Sequence, residues 1–551
     1  MRATEDLRSQ LISIVGKMGF SWPEKTVIEP PKDPSHGDLS TNLALLLTKE
    51  AHKPPREIAE QIAGLLQEAE GAIESVEAAG PGFLNVVFTP AYWQQVVSEV
   101  EEQGASFGRS DFGANRRVLV EFVSANPTGP LHVGHGRGAA VGDSLARLLR
   151  VAGFDVDTEY YINDAGRQMR LLGLSVWLRA RELAGLPVTF PEEFYRGDYI
   201  RDIAGEMLTL DPELVQRPEA EGLDRCYSYA MKTILEGIKT DLNNFRVKQD
   251  RFFSEKSLVD EHAVERAFAA LDASGLTFEQ EGAYWFATSR HGDDKDRVLK
   301  KSDGSLTYFA SDIAYHHNKY ERGYDWLIDV WGADHHGYVP RMRAAIAAMG
   351  REQSSFDVVL IQLVNLMKDG QPLSMSTRAG TFETLADVVR EVGVDASRFM
   401  FLSRKSDSPL DFDLDLVRQR NLENPVYYVQ YAHARISAIH RRALDRGWEL
   451  LPRAPKDVLG RLVHPDDMGL LRKMAAYTDC VRDAARTLGV HHVSRYLTEL
   501  AGLVHSYYTR QQILAASSQE DGLARLYLLK AVAQVLKNGL DVLGVEAPEQ
   551  M

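Results

Sequence analysis

The spacing of hydrophobic residues changes abruptly between residues 118 and 148. Residues 118–123 form a short apolar, β-branched run interrupted by one carboxylate, Glu121, which is typical of a buried parallel strand. The Asn-Pro-Thr-Gly-Pro segment at 126–130 breaks this strand. From Gly136 the apolar residues follow helical spacing. The pattern therefore predicts a strand, a loop and a helix in direct succession.

A second strand is predicted at residues 156–162, and the polar run Asn-Asp-Ala-Gly-Arg-Gln follows it. The order strand, helix, strand is the βαβ unit of a doubly wound parallel sheet, which binds ligands at the carboxyl ends of its strands. Residues from about 170 to about 290 interrupt the sheet with helices and charged loops. The sheet is expected to resume near Leu299, with further strands at 324–331 and 356–363.

The two flanks of this region differ from it and from each other. Before residue 105 the pattern predicts amphipathic helices and, after the Gly-Pro-Gly turn at 80–82, one strand. From about Asn421 the chain is helical throughout. The length of 551 residues suggests roughly three to four domains. We expect an α/β module at 1–108, the doubly wound domain at 109–415 and an all-α domain at 416–551.

Composition narrows the class only slightly. Hydrophobic residues make up 44% and charged residues 26% of the chain, as in ordinary globular proteins. The sequence shows no membrane-spanning run and no secretory pattern, and Cys226 and Cys480 suit a reducing compartment, so we expect a cytoplasmic protein without membrane contact. The net charge, 63 − 78 = −15, argues against indiscriminate nucleic-acid binding, although a local basic surface suffices for a specific RNA.

Two histidines, His132 and His135, lie where the predicted loop meets the helix. Unpaired N–H groups at a helix N-terminus attract phosphate, and imidazoles this close together can donate hydrogen bonds to phosphate oxygens. Glycines at 134, 136 and 138 would let a nucleotide approach the backbone. Two other interpretations are a glycine-rich turn with incidental histidines and half of a zinc site. The zinc site would lack a Cys/His cluster nearby, so we expect no zinc.

The longer segment SANPTGPLHVGHGRG, at 124–138, resembles the H-I-G-H signature of class I aminoacyl-tRNA synthetases in the form found in arginyl-tRNA synthetases. The segments YINDAGRQ, HGDLSTN, GPGFLN and the terminal LGVEAP are similar to other parts of that family. The resemblance covers essentially the whole chain. It implies an N-terminal additional domain, a Rossmann-like catalytic domain with a connective insertion at about 170–290, and a C-terminal helical anticodon-binding domain.

Two carboxylates, Glu121 and Asp312, are expected in one pocket, with Tyr308 one helical turn before Asp312. A planar guanidinium with five donors matches paired carboxylates better than an acid/base role does. Without a substrate cation, two buried acids would repel each other and one would take up a proton. Glu121 alone could also be a structural carboxylate at a strand end.

In the arginyl family the residues that match Glu121, Ser124, Asn126, Tyr308 and Asp312 bind the amino acid. The resemblance therefore implies that the acids and Tyr308 face the guanidinium group, while Ser124 and Asn126 hold the α-amino and carboxylate end. His335 matches a position where some members carry Gln. A site that pairs a guanidinium this fully should reject analogues without an editing domain.

The second class I signature, K-M-S-K-S, is represented by Ser-Met-Ser-Thr-Arg at 374–378, which lacks both lysines. The leaving pyrophosphate would then be without its usual cation. We expect Arg378, or Arg116 or Arg117 before the first strand, to supply a positive charge alongside the catalytic histidines. The resemblance implies an ATP site formed by His132, Gly134, His135, Gly136, Met375 and Ser376.

Two surfaces are candidates for tRNA binding. Phe83 and Asn85 lie two apart on a predicted strand and share one face, either as core packing with an edge amide or as a stacking ring and amide for an unpaired base. The resemblance favours contact with the tRNA elbow. Tyr431 and Arg435 belong to an aromatic and basic helix that is either a solvated face or an RNA-reading surface.

The resemblance implies an enzyme that activates L-arginine with ATP, with Mg²⁺, and transfers it to the terminal adenosine of tRNA(Arg). We expect it to act as a monomer. The alternatives are a class I synthetase for another amino acid, which the Glu121 and Asp312 pair opposes, and a synthetase-like RNA-binding or regulatory protein without catalysis, which the altered segment 374–378 leaves open.

Overall fold

The structure is a computed structural model that describes residues 2–69, 72–164, 166–373 and 384–551. Its first module consists of α1 Arg2–Lys17, β1 Ile28–Glu29, β2 Leu39–Thr41, α2 Leu43–Ala51, α3 Pro55–Glu68, β3 Ile73–Ala79, β4 Phe83–Phe88 and α4 Pro90–Gln103. The strands form an antiparallel sheet in the order β1-β2-β4-β3. Alternate residues of β4, Leu84, Val86 and Phe88, are buried in the core, as the period of a strand with one covered face requires.

The second part begins after a short connection and contains β5 Arg117–Glu121, α5 Val133–Val151, β6 Asp155–Ile162, α6 Arg167–Leu183, α7 Asp198–Leu210, α8 Glu219–Asn244, β7 Arg251–Ser254, α9 Lys256–Asp260, α10 Ala263–Ala273, β8 Thr277–Gln280, β9 Ala283–Phe286, β10 Arg297–Lys300, α11 Tyr308–Glu321, β11 Trp326–Gly332, α12 Val339–Ala348 and β12 Phe356–Ile361. Five of these strands form one sheet in the order β12-β11-β5-β6-β7, and each neighbouring pair is parallel. The doubly wound sheet predicted from the sequence is confirmed.

The strand order reverses between β5 and β11, because β6 and β7 lie on one side of β5 while β11 and β12 lie on the other. Ligands of doubly wound sheets bind in the crevice at the carboxyl ends of the strands on either side of such a reversal. In this chain that crevice is bordered by Glu121, the last residue of β5, and Gly332, the last residue of β11.

The prediction for the insertion was wrong in one respect. The parallel sheet resumes at β7, within the range expected to interrupt it, whereas the strand near Leu299 belongs to a separate antiparallel sheet, β10-β9-β8. β7 has four residues and begins with Arg251, half exposed at the sheet edge. So short a run with a charged first residue is not distinguishable from a loop by its periodicity.

The rest of the chain contains β13 Val364–Lys368, β14 Gln371–Pro372, α13 Leu385–Val392, α14 Val394–Phe401, β15 Leu410–Asp413, α15 Leu414–Arg418, α16 Pro425–Asp445, α17 Lys456–Leu459, α18 Pro465–Ala475, α19 Tyr477–Thr487, α20 His491–Arg510 and α21 Gln519–Leu543. The three strands form a small sheet, β14-β13-β15, and the last helices pack together as predicted. None of the helices in the described ranges is long and apolar enough to cross a membrane.

The first module packs against the last helices. Asp38 pairs with Arg472 on α18 at 2.5 Å. The Gln94 amide donates to the carbonyl of Leu462 at 3.1 Å, and the Asn538 amide of α21 donates to the carbonyl of Phe107 at 3.0 Å. The first module and the last helices are therefore in direct contact.

A buried arginine joins the last helix to α5. Arg398 has no exposed surface; its Nε donates to the carbonyl of Leu543 at 2.8 Å, and its guanidinium lies 2.5 Å from the Asp143 carboxylate on α5. Ser144 of the same helix also donates to the Leu543 carbonyl. The end of α21 is thus fixed directly to the helix that carries the two histidines.

Candidate active site

The helix α5 begins at Val133, three residues earlier than the hydrophobic pattern predicted, because His132 and His135 cap it. The Nδ1 atom of His132 accepts a hydrogen bond from the Gly134 amide at 3.1 Å. The Nδ1 atom of His135 accepts one from the His132 amide at 3.3 Å. This reciprocal arrangement satisfies amide groups that a helix N-terminus otherwise leaves unpaired.

The capping bonds fix the protonation of both imidazoles. Because each Nδ1 accepts a hydrogen bond, the ring proton of each neutral histidine is on Nε2, which remains available as a donor. Burial lowers the pKa of His132, and burial together with His132 lowers the pKa of His135 to about 3. The rings stack with centroids 3.6 Å apart. The pair is therefore a neutral double donor at the helix N-terminus.

Two glycines of this loop have close neighbours within the protein. A Cβ atom at Gly136 would lie 2.6 Å from Leu385 Cδ1. A Cβ at Gly134 would lie 2.9 Å from His132 Cε1. Gly136 thus allows close helix packing and Gly134 makes room for the His132 ring, while the assignment of both to ATP binding stays a prediction.

The turn after β5 is strained. Val123 has a φ of 71° and Ser124 a φ of 41°, in the left-handed region that β-branched and other L-residues rarely adopt. Such a conformation costs on the order of 1–3 kcal/mol for each residue and requires support from its surroundings. The support comes from Ser124, whose hydroxyl donates to Glu121 Oε1 at 2.9 Å and accepts from the Tyr161 amide at 3.1 Å.

Glu121 is in contact with a cation of the chain itself. Its Oε2 lies 2.5 Å from the ammonium group of Lys319, which also pairs with Asp329 at 2.9 Å. Lys319 has no exposed surface, and Glu121 is 8% exposed. The chain therefore contains its own cation among these acids, on α11.

The other residues assigned to arginine binding surround the same end of the sheet. Asp312 accepts a hydrogen bond from the hydroxyl of Tyr338, and burial raises the pKa of Asp312. Tyr308, one turn earlier on α11, is 72% exposed. His335 follows β11 and is exposed, with Nε2 3.5 Å from Asp334. The amide of Asn126 donates to Gln168 Oε1 at 2.6 Å.

A cavity of about 770 Å³ opens beside the histidines. Asn126, Thr128, His132 and His135 line one side, and the segment 192–199 between α6 and α7 lines the other. This volume is in the range of small-molecule sites. The cavity therefore has one wall from the signature loop and one from the insertion, in which sequence reasoning had found no chemistry.

Tyr199 fixes these two walls together. Its hydroxyl donates to the carbonyl of Thr128 at 2.7 Å, and a Cβ atom at Gly129 would lie 3.1 Å from that hydroxyl. Burial raises the pKa of Tyr199. A tyrosine in a polar segment gives no sequence signal of such a contact, so it was missed.

Arg116 and Arg117, two candidates for the missing cation, lie at the end of the sheet opposite the cavity. Both precede or begin β5, at the amino end of the sheet, whereas the cavity lies at the carboxyl end. Arg117 donates to the carbonyl of Arg322 at 3.0 Å and lies 3.7 Å from Asp157. Arg116 lies over the ring of Trp326. Both guanidinium groups therefore have partners at the amino end of the sheet, which favours Arg378 among the three candidates.

The second signature, with Met375, Ser376 and Arg378, lies outside the described residues. The chain re-enters the described structure at Thr384, which forms an isolated antiparallel bridge with His132. The amide of Leu385 donates to the carbonyl of Leu131 at 2.8 Å. Thr384, six residues after the second signature, is therefore in contact with the first signature.

The predicted tRNA residues differ in accessibility. Phe83 is 40% exposed at the start of β4, whereas Asn85 is only 9% exposed between β2 and β3. On α16, Arg435 lies over the rings of Tyr431 and Tyr508, at 5.1 and 4.1 Å from their centroids. The half-buried stack on α16 and α20 offers flat faces and a positive charge together.

Within the described ranges, no group of three or more His, Cys, Asp or Glu side chains is arranged as metal ligands would be. Both cysteines are free thiols in the structure.

Family models match the chain along most of its length. The arginyl tRNA synthetase N terminal domain matches residues 3–88, the catalytic domain of class I (R) tRNA synthetases matches 97–409, and the DALR anticodon binding domain matches 429–551. The catalytic match includes the whole parallel sheet and both capping histidines. The fold and site are accordingly those of class I aminoacyl-tRNA synthetases.

Full-length relatives identify the branch of that class. An "Arginine--tRNA ligase" of Desulfovibrio desulfuricans is 67% identical over 551 residues and covers 100% of both chains, and one of Lawsonia intracellularis is 51% identical over the same length. A solved structure of a putative arginyl tRNA synthetase from Campylobacter jejuni has a TM-score of 0.76 and 36% identity, covering 84% of this chain and 100% of its own. The chain belongs to the arginyl-tRNA synthetase family.

The fold is shared more widely than the sequence. The arginyl-tRNA synthetase of Thermus thermophilus has a TM-score of 0.76 at 24% identity, with 100% of both chains covered. This likeness concerns the arrangement of all three parts of the molecule.

Proposed function

We propose that the cavity beside His132 and His135 is where this arginine–tRNA ligase joins L-arginine to ATP and then to tRNA(Arg). The observation that carries the proposal is the pair of neutral Nε2–H donors at the N-terminus of α5, facing a cavity at the reversal point of the parallel sheet. Helix N-termini and fixed donors stabilise phosphate charge.

Arginine binds at the carboxyl ends of β5 and β11. The guanidinium group faces Asp312 and Glu121 beside Tyr308, and Ser124 and Asn126 hold the amino-acid end. Charge-assisted hydrogen bonds to two carboxylates favour a planar five-donor cation over other side chains. The support for this assignment is the position of these residues around one crevice, with Asp312 oriented by the Tyr338 hydroxyl.

In the first step a carboxylate oxygen of arginine attacks the α-phosphorus of ATP. A P–O bond forms to the carboxylate, the bond from that phosphorus to the bridging oxygen breaks, and pyrophosphate leaves. No proton has to be transferred, so His132 and His135 act by positioning and by donating hydrogen bonds to the phosphate oxygens. Arg378 supplies the positive charge for pyrophosphate in place of the missing lysines.

In the second step the 2′-hydroxyl of the terminal adenosine attacks the carbonyl carbon of arginyl-adenylate. An ester forms and AMP leaves. A phosphate oxygen of the departing AMP takes the hydroxyl proton. ATP enters as its Mg²⁺ complex, since phosphate oxygens are the ligands that Mg²⁺ prefers.

The tRNA contacts are assigned to the two ends of the chain. Phe83 stacks on an unpaired base of the elbow while Asn85 lies beside it, and the stack of Tyr431 and Arg435 receives the anticodon region. Base stacking on an aromatic ring contributes about 1–3 kcal/mol for each base. We also propose that the protein works as a monomer in the cytoplasm, which light scattering and cell fractionation would test.

The decisive experiment is ATP–pyrophosphate exchange with each of the amino acids in turn, with and without tRNA, followed by charging of tRNA(Arg). We expect exchange and charging with arginine and with no other amino acid. Exchange with a different amino acid would overturn the substrate assignment. Binding of tRNA without any exchange or charging would favour an RNA-binding protein instead.

A further inference from the structure

We propose that Lys319 is a positioning residue of the arginine site, which holds Glu121 in place and through it the strained turn at Val123 and Ser124. The inference rests on the proposed function, because the turn matters only if it receives the amino acid. Nothing in the hydrophobic pattern of α11 marks this lysine as different from a surface residue.

Lys319 lies between two buried acids, Glu121 and Asp329. Its side chain has no exposed surface, and its ammonium group lies 2.5 Å from Glu121 Oε2 and 2.9 Å from Asp329 Oδ1. Glu121 and Asp329 are paired residues on the neighbouring strands β5 and β11. The ring of Tyr315 covers the ammonium from another side, with its centroid 4.3 Å away. The ammonium therefore bridges the two strands at the point where the ligand crevice begins.

The positive charge of Lys319 offsets the repulsion between Glu121 and Asp329. Two carboxylates buried at adjacent strand positions repel each other unless a cation lies between them. Burial raises the pKa of Glu121, and Lys319 opposes that rise. Burial acts in the same direction on Asp329, but Lys319 and His316 bring the pKa of Asp329 down to about 2. Removal of the ammonium would therefore favour uptake of a proton by Glu121.

The effect reaches the substrate turn through Ser124. With both oxygens ionised, Glu121 accepts from Lys319 at one oxygen and from the Ser124 hydroxyl at the other. A protonated Glu121 has one oxygen that prefers to donate, which competes with this arrangement. The left-handed Val123 and Ser124 then lose part of the support that their conformation needs.

Other charged groups also face Glu121 and set the background for its titration. They lie on three elements packed against β5: Asp312, Tyr315 and His316 on α11 beside Lys319, Asp329 on β11, and Glu159 and Tyr161 on β6. Lys319 is the cation in direct contact with Glu121 in this described set. Its loss makes the group more negative, so the pKa of Glu121 moves upward.

The test compares Lys319→Met with Arg322→Met. Arg322 lies three residues later, directly after the end of α11, and pairs with the buried Glu159, with Nη2 2.8 Å from Oε1. Both variants remove one cation that pairs with a buried glutamate near the C-terminal end of α11, although Lys319 has no exposed surface and the Arg322 side chain is 16% exposed. Arginine and ATP KM and kcat are measured by pyrophosphate exchange in the presence of tRNA, from about pH 6 to about pH 9.

Lys319→Met is expected to raise the arginine KM at least about tenfold near pH 7 while the ATP KM changes less than about twofold. The arginine KM of this variant should fall as pH rises, because Glu121 regains its charge. Arg322→Met should show an arginine KM within about threefold of the parent and no such slope. An unchanged arginine KM in Lys319→Met, or an equal rise and slope in both variants, would overturn the proposal.

A second variant covers the case in which Lys319→Met does not fold. Glu121→Gln/Lys319→Met removes Lys319 together with one of its two acids and leaves Asp329 with its contact to His316, so folding should recover in part, as checked by thermal unfolding. The arginine KM should remain raised and become independent of pH. A double variant with the parent's KM contradicts the role of Lys319. A parent protein that exchanges with another amino acid contradicts the proposed function itself, which separates the two failures.

Discussion

Thr384 pairs with His132 in an isolated antiparallel bridge. The chain that follows the second signature therefore contacts the first of the two capping histidines. The backbone of His132 thereby has two neighbours of different origin, its own helix α5 and the chain at Thr384. Any change in the placement of that chain acts directly on the histidine loop.

This contact bears on the dependence of amino-acid activation on tRNA. The segment 374–378 lacks both signature lysines, and α21 is fixed to α5 through Arg398 and Leu543. We expect tRNA bound to the terminal helices to be coupled through α5 to the placement of Arg378. Pyrophosphate exchange should therefore be negligible without tRNA(Arg). Robust exchange in its absence would contradict this coupling.

Arg378→Ala should lower exchange about tenfold or more even with tRNA bound, about 1.4 kcal/mol in the barrier, because the pyrophosphate loses its cation. Arg117→Ala is the matched control, since that guanidinium lies at the amino end of the sheet, and its exchange rate should stay within about twofold. Equal losses in the two variants would show that the effect is not specific to the site.

His132→Asn separates capping from catalysis. Asparagine at the N-cap position of a helix accepts the same backbone hydrogen bond, so thermal stability should be retained. The Nε2–H donor is lost, and kcat for adenylate formation should fall about 10²–10³-fold, roughly 2.7–4 kcal/mol. The arginine KM should change little. A variant within about threefold of the parent rate would remove this donor from the mechanism.

The low pKa of His135 makes stability depend on pH. The folded state holds this imidazole neutral down to about pH 3, whereas the unfolded chain protonates it below about pH 6.5. Stability from this group is therefore full above pH 6.5 and decreases as pH falls toward 3, by about 2 kcal/mol at pH 5. Denaturant unfolding of the parent and of His135→Asn should converge over this interval, and parallel curves would contradict the assignment.

Asp312→Asn should raise the arginine KM by about 10- to 100-fold, because a charge-assisted hydrogen bond contributes about 1.5–3 kcal/mol. The ATP KM should be unchanged. Asp357→Asn is a suitable control: that carboxylate is half buried on β12 and accepts from the Trp326 indole at 3.0 Å, at the other edge of the sheet. Loss of ATP binding in Asp312→Asn would show that Asp312 is misassigned.

Tyr199→Phe should loosen the cavity wall formed by the insertion. It removes the 2.7 Å hydrogen bond to Thr128, worth about 0.5–1.5 kcal/mol, so the ATP KM should rise about two- to tenfold. Tyr229→Phe removes a comparable hydroxyl contact, to Glu206, elsewhere in the insertion and should leave the KM unchanged. If both behave alike, Tyr199 has no specific effect on the cavity.

Local patterns predicted the strand, loop and helix around His132 because each of those signals is contained in a few consecutive residues. The expectation for Arg116 and Arg117 left strand direction out of account, since residues before a parallel strand lie at the edge opposite its ligands. Lys319 could not be found in this way. It meets Glu121, 198 residues earlier, only through the packing of α11 on the sheet, and helical spacing alone favours an exposed lysine.

The contact between the first module and the last helix has a consequence for how the chain is made. Asn538 donates to the carbonyl of Gly104, 434 residues earlier, and α4 is covered by α18 and α21. A ribosome that adds about 5–20 residues per second takes roughly 20–90 seconds between these two positions. The side of α4 that α18 and α21 cover in the folded protein must therefore stay uncovered by them until translation is nearly finished.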